Sequence, residues 1–295
     1  MAGDGSADNS HTKLPVWRLI AAAYADWFRL FPDVLRATWV WIILLAITIG
    51  AADWLNWSMA VSAIAHLKAR VPNDPFLRIF VAGSLYVFST IILSIALVDI
   101  AVSWHRRIIC NERPALISRN IGTTFYWRYL ANLLAAMLVA TAPTVFPFVL
   151  LVVRFDLDAA KEWNTIVSVA AVLMLLTWLC IFVRICPALV AKAIDGPRIT
   201  WKQSYVLTRG NSYWLAGGLF VCGIVPGIPV DLVLDQFGLK DTELSALEAL
   251  TLPNGTDMLI AAAIVHQSLT ASALLFLPIA VGFISLSYRH LAGAE

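Results

Sequence analysis

Six apolar runs, each about as long as a bilayer crossing or longer, follow one another at about 37–57, 77–104, 129–153, 163–190, 212–234 and 257–286. A helix rises about 1.5 Å per residue, so roughly 20 apolar residues traverse the hydrocarbon. Backbone groups in that layer must bond to one another, and for runs of this length the helix is the structure that does so. The reading is all-α: a polytopic membrane helix bundle of six transmembrane helices plus interfacial amphipathic helices. Composition agrees, since the chain is 60% hydrophobic and 14% charged, against roughly 45–50% and 25% in soluble domains. A net charge of +2 on so apolar a chain does not point to nucleic acid.

Orientation follows from Lys and Arg, because cytoplasmic flanks accumulate them. One face receives Lys13, Arg18, Arg29 and Arg36, then Arg106, Arg107, Arg113, Arg119 and Arg128, then Arg184, Lys192, Arg198, Lys202, Arg209 and Arg289. The other receives only Lys68, Arg70, Arg78, Arg154, Lys161 and Lys240. Both termini are therefore expected in the cytoplasm, with the acidic stretch 235–257 outside.

Residues 1–13 read as a disordered tail with no secretory signal, and 14–290 as a single membrane domain. Between 14 and 31 the aromatics Trp17, Tyr24, Trp27, Phe28 and Phe31 recur at helical spacing with Arg18 and Arg29 on the other face, the pattern of a helix lying in the interface. Pro32 is placed to start or bend the next helix. A second interfacial helix is expected near 201–209, opened by a Thr200/Gln203 capping box and closed by Gly210. Basic, aromatic segments precede the first, third and fifth runs (24–29, 125–129 and 201–205), which suggests a weak threefold repeat of interfacial helix plus membrane hairpin. Leu244, Leu247 and Leu250 suggest a short outer surface helix, and Asn254-Gly255-Thr256 matches a glycosylation pattern.

Ionisable groups inside the membrane are costly, so each needs a partner or a purpose. Asp99 and Arg184 lie at similar depth, roughly 10 Å inside the basic boundary by helical rise. Small-residue seams accompany both: Ala82, Ser89, Ala96 and Ser103 beside Asp99, and Thr177, Cys180, Ala188 and Ala191 beside Arg184. The expectation is an Asp99–Arg184 ion pair, the alternative being Asp99 on Ser103 with Arg184 reaching the headgroups. His266, on a face with Ala262, Ala263, Thr270 and Ala273, and the Pro226-Gly227-Ile228-Pro229 break in the fifth run are candidates for transport or ligand contact. The alternatives are a hydrogen-bonded neutral imidazole and an ordinary proline kink. Arg18, Arg29, Arg106, Arg107, Arg128, Lys202 and Arg209 are candidates for binding lipid headgroups. No catalytic or metal motif stands out, no cofactor is implied, and the four cysteines lack metal or disulfide spacing.

Trp104-His105-Arg106-Arg107 followed by Asn111-Glu112-Arg113-Pro114, together with Val183-Arg184, Pro187-Ala188, 201–205 and 207–211, resembles a family of bacterial six-span membrane proteins. These are labelled glycerophosphoryl diester phosphodiesterase membrane-domain-like. The resemblance implies the membrane part without the catalytic barrel, in a bacterial inner membrane. Where that family shows Gly-Glu-x-Pro, this chain has Asn111 before Glu112. The combined expectation is a non-catalytic integral membrane protein that binds anionic lipid or a membrane protein partner through its cytoplasmic rim. A transporter or lipid translocator working at the broken fifth span is the second reading.

Overall fold

The computed structural model describes residues 13–69, 75–115, 120–154, 160–196, 199–236 and 255–293, with side chains outside 52–83, 86, 144–168, 231, 255–264 and 266. The N-terminal tail before 13, the 241–250 helix and Asn254 lie outside the described residues. What is described is all-helical, with no strand.

Helix α1 (Val16–Arg29) ends at Leu30, and α2 (Phe31–Ala69) starts at once. Pro32 is its second residue, where no intrahelical donor is needed, and Asp33 in the first turn complements the positive helix end. α2 begins before the apolar run and continues beyond its expected end at 57. Gly50 is the only glycine or proline between Pro32 and Ala69, so nothing breaks the helix earlier.

Helix α3 (Pro75–Cys110) carries Arg106 and Arg107 on its last turns, beyond the expected end of the span at 104. It stops at Asn111, whose φ of 57° is left-handed. Asn tolerates that conformation better than other residues with a Cβ, so the helix can end there without a glycine. The Glu112 N–H then donates to the Arg106 carbonyl at 3.3 Å.

Next come α4 (Thr124–Arg154) and α5 (Ala160–Ala193), followed by α6 (Trp201–Leu207) behind the expected capping box. Gly210 takes a φ of 81° before the next helix, as a residue closing α6 should. The fifth run breaks where its prolines fall: α7 (Ser212–Ile224) meets a 3₁₀ turn (Val225–Gly227) and then α8 (Ile228–Gln236). α9 (Gly255–Leu291) completes the chain. Among the described residues five stretches are long and apolar enough to cross a membrane: Phe31–Ala51, Val87–Cys110, Val169–Ala193, Ser212–Gln236 and Gln267–Leu291. α4 occupies the remaining run. Large apolar side chains such as Ile47, Leu138, Leu173 and Leu232 point outward, as lipid-facing residues do.

α9 is the central post, packing against α1, α2, α3, α5 and α7. The tip of its Phe283 ring comes so close to Gly218 of α7 that even a Cβ there would fall inside contact distance. That contact closes the inner part of the α7–α9 seam.

The interfacial segments are tied to the spans by a recurring device. Trp27 of α1 donates its indole N–H to the Leu275 carbonyl of α9 at 2.9 Å. Tyr126, in the first turn of α4, donates to the Ile95 carbonyl of α3 at 3.2 Å. Ser204 of α6 donates to the Arg184 carbonyl of α5 at 2.6 Å. Leu275 and Arg184 each stand three residues before an in-helix proline, Pro278 and Pro187. A proline lacks the N–H of the helix ladder and forces the preceding turn open, which exposes carbonyls to other donors. Each interfacial segment thus docks on the span before it in the chain, and α1 docks on the last span, closing the cycle. Of the three segments that suggested a repeat, the middle one, 125–129, is the start of α4 and not a separate helix.

Gly218→Val should lower stability by about 1–3 kcal/mol or more, as overpacking a filled core does, read as a lower unfolding temperature in detergent. Trp27→Phe keeps the ring and loses the donor. It should cost about 1 kcal/mol, and an unchanged unfolding temperature would remove the indole–carbonyl bond from this account.

Candidate functional site at the basic rim

The last turns of α3 gather the polar groups of the bundle. Asp99 is buried and accepts from Trp41 Nε1 at 2.9 Å and from Asn120 Nδ2 at 3.3 Å. Asn120 also donates to Ser103 Oγ at 2.8 Å. The expected Asp99–Arg184 ion pair does not form. Arg184 donates from Nε to Ser212 Oγ at 2.6 Å and stacks its guanidinium 3.8 Å from the centre of the Tyr205 ring. Equal depth was not enough, because the Asp99 face of α3, through Ile92 and Ala96, packs on Leu45 and Ile49 of α2. Arg184 faces α6 and α7. On the Asp99 seam Ser89 and Ala96 are buried and Ser103 is half-buried, with Ala82 outside the described side chains; on the α5 seam Ala188 and Ala191 are buried, yet Thr177 is exposed.

Two rim arginines expected to hold headgroups are engaged within the protein. Arg107 Nε lies 2.8 Å from Asp33 Oδ2, with the two side chains only 12% and 13% exposed. The nitrogen is out of line for a hydrogen bond, so the contact is chiefly ionic. Arg107 Nη1 donates to the Asn111 side chain at 2.5 Å. Arg106 forms a two-pronged pair with Glu112, Nε to Oε2 at 2.8 Å and Nη2 to Oε1 at 2.7 Å, and lies 4.7 Å from the Phe125 ring centre. Arg18, Arg29, Arg128, Lys202 and Arg209 are exposed. Those five make no ion pair among the described residues.

His105, which flanks the basic cluster in the sequence, forms a buried polar chain. Its Nδ1 lies 2.7 Å from Ser285 Oγ, and its Nε2 lies 3.4 Å from the Tyr129 hydroxyl. Ser285 also donates to the Val281 carbonyl at 2.8 Å. One assignment uses every proton: Tyr129 donates to Nε2, Nδ1–H donates to Ser285, and Ser285 donates to Val281. A serine whose proton is committed to a backbone carbonyl, with both side chains shut from solvent, ties α3, α4 and α9 together. It does not present a nucleophile.

The other candidate positions are not brought to this rim. His266 lies outside the described side chains, while on its expected inward face Ala273 is exposed. Around the break of the fifth span Pro226 is buried, Gly227 is half-buried and Pro229 is exposed. A polar cleft of about 220 Å³ opens among Ser103, Arg106, Glu112, Arg113 and Asn120. Among the described residues no three His, Cys, Asp or Glu side chains converge as a metal site would require.

No family model, curated protein or solved structure matches the chain. Fold and rim together define a multi-pass helical membrane protein in which, among the described residues, a polar cluster gathers around the last turns of α3.

Sequence reasoning missed Trp41, Asn120 and the Asp33–Arg107 pair. Pro32-Asp33 at the start of α2 was the available signal for Asp33, since an acid in a first turn can serve both the helix end and a neighbouring arginine. Reversing the sign of either Asp33 or Arg107 should destabilise the protein by about 2 kcal/mol. The Asp33→Arg/Arg107→Asp double variant should regain part of that loss in a thermal unfolding assay, and a purely additive loss would mean that the pair contributes nothing.

Proposed function

We propose that this is a non-catalytic integral membrane protein that binds anionic lipid headgroups through its basic, aromatic rim at the cytoplasmic face of a bacterial inner membrane, with both termini on that side. One observation carries the reading: exposed cations without acidic partners sit beside exposed aromatic side chains on every interfacial segment. Arg18 and Arg29 accompany Trp17 and Phe28 on α1; Arg128 accompanies Trp127 on α4; Lys202 and Arg209 accompany Tyr205, Tyr213 and Trp214 around α6. Aromatics of this kind sit at headgroup level, where each basic side chain adds roughly 1 kcal/mol of attraction to an anionic surface. Arg106 and Arg107 serve the protein's own packing and are not part of this surface. The resemblance to bacterial six-span proteins supports the choice of membrane.

The test is native mass spectrometry of the protein from nanodiscs that mix phosphatidylglycerol with phosphatidylcholine. Wild type should retain phosphatidylglycerol preferentially. The Arg18→Gln/Arg29→Gln/Arg128→Gln/Lys202→Gln/Arg209→Gln variant should lose that preference by about tenfold or more. Equal preference in the two proteins would sink the proposal.

A further inference from the structure

A second cleft lies between α2 and α9, further from the rim than Asp99. It occupies about 280 Å³ and is floored by Ala46 and Ala271. Its walls change character along the helix axes. The end nearer the rim is lined by Ile42, Leu45 and Leu274, and the far end by Ile49, Gln267 and Ser268. Seven residues separate Gln267 from Leu274, so the change takes place over roughly 10 Å. Gly50 lies so close that a Cβ there would stand 3.0 Å from Gln267 Nε2, and glycine is what lets the amide occupy that place.

The Gln267 amide forms no hydrogen bond among the described residues, although it is half-buried within a membrane-crossing stretch. Such a group is expensive in hydrocarbon unless a partner reaches it. Exposed Ile43, Ile47 and Leu269 on the same two helices mark a lipid-facing surface. A molecule coming from that side is a lipid, and the wall pattern sets its direction, with the polar acceptor at Gln267 and the apolar chain toward Leu274.

We propose that this cleft holds one ester-linked acyl chain of a membrane glycerolipid, taken from the leaflet opposite the rim, with the Gln267 amide donating to its ester carbonyl. The contact reads the ester and ignores the headgroup, which separates it from the rim: a diether lipid with the same headgroup lacks the carbonyl and keeps the charge.

The test compares diester with diether phosphatidylglycerol of equal chain length in nanodiscs, counting retained lipids by native mass spectrometry. Wild type should hold one diester molecule about 3–10-fold more firmly than its diether counterpart, the range of one net hydrogen bond. Gln267→Leu should erase the difference, Ala271→Phe should displace the lipid, and the five-site rim variant should leave the difference intact. Equal retention of the two lipids by wild type would overturn the proposal. So would an unchanged lipid count in Ala271→Phe, or a change in its oligomeric state in place of lipid loss, which would assign the cleft to a second copy of the chain.

Discussion

A backbone carbonyl or carboxylate inside a bilayer has no water to turn to, and this requirement organises the bundle. Pro187 and Pro278 open the helix ladders of α5 and α9, and carbonyls in the opened turns receive Ser204 and Trp27 from the interfacial helices. The prolines thus act as attachment points for α6 and α1. The third such contact, Tyr126 to Ile95, occurs on a helix with no proline at the corresponding place, where a carbonyl already in a ladder accepts a second bond through its other lone pair.

The same requirement separates two kinds of charge at the rim. Asp99, Asp33, Arg106, Arg107 and Arg184 are engaged by partners inside the protein, and a charge so engaged has little left to offer a ligand. Arg18, Arg29, Arg128, Lys202 and Arg209 lie outward among aromatics, free of such contacts in the described structure. The basic clusters of the sequence mix both kinds, so the surface proposed for headgroups is smaller than a count of arginines suggests. Further along α2 and α9, Gln267 faces a cleft in which no described side chain answers it, and the proposed lipid ester would take the place that Trp41 and Asn120 take beside Asp99.

Much of the architecture was legible residue by residue. Pro32 opening α2, the Thr200/Gln203 box, Gly210 in the left-handed region and the break at Pro226 all rest on local backbone chemistry, which neighbours in sequence supply. The Asp99–Arg184 pairing was misread because depth along a helix follows from counting residues, whereas the direction a side chain faces depends on which helix packs against it. The extension of α3 beyond 104 was missed for a related reason. Its last turns are held by Asp33 and Glu112, one of them on another helix.

By itself the sequence determined that the chain is all-helical, where its apolar runs lie, and where prolines and glycines interrupt or close them, because hydropathy and φ/ψ preferences act over a few residues. Tertiary structure decided the partners: Trp41 and Asn120 for Asp99, Asp33 for Arg107, Ser285 and Tyr129 for His105, Gly218 for Phe283. Each joins residues far apart in the chain whose rotation about their helix axes is set by packing, and no local pattern encodes that rotation.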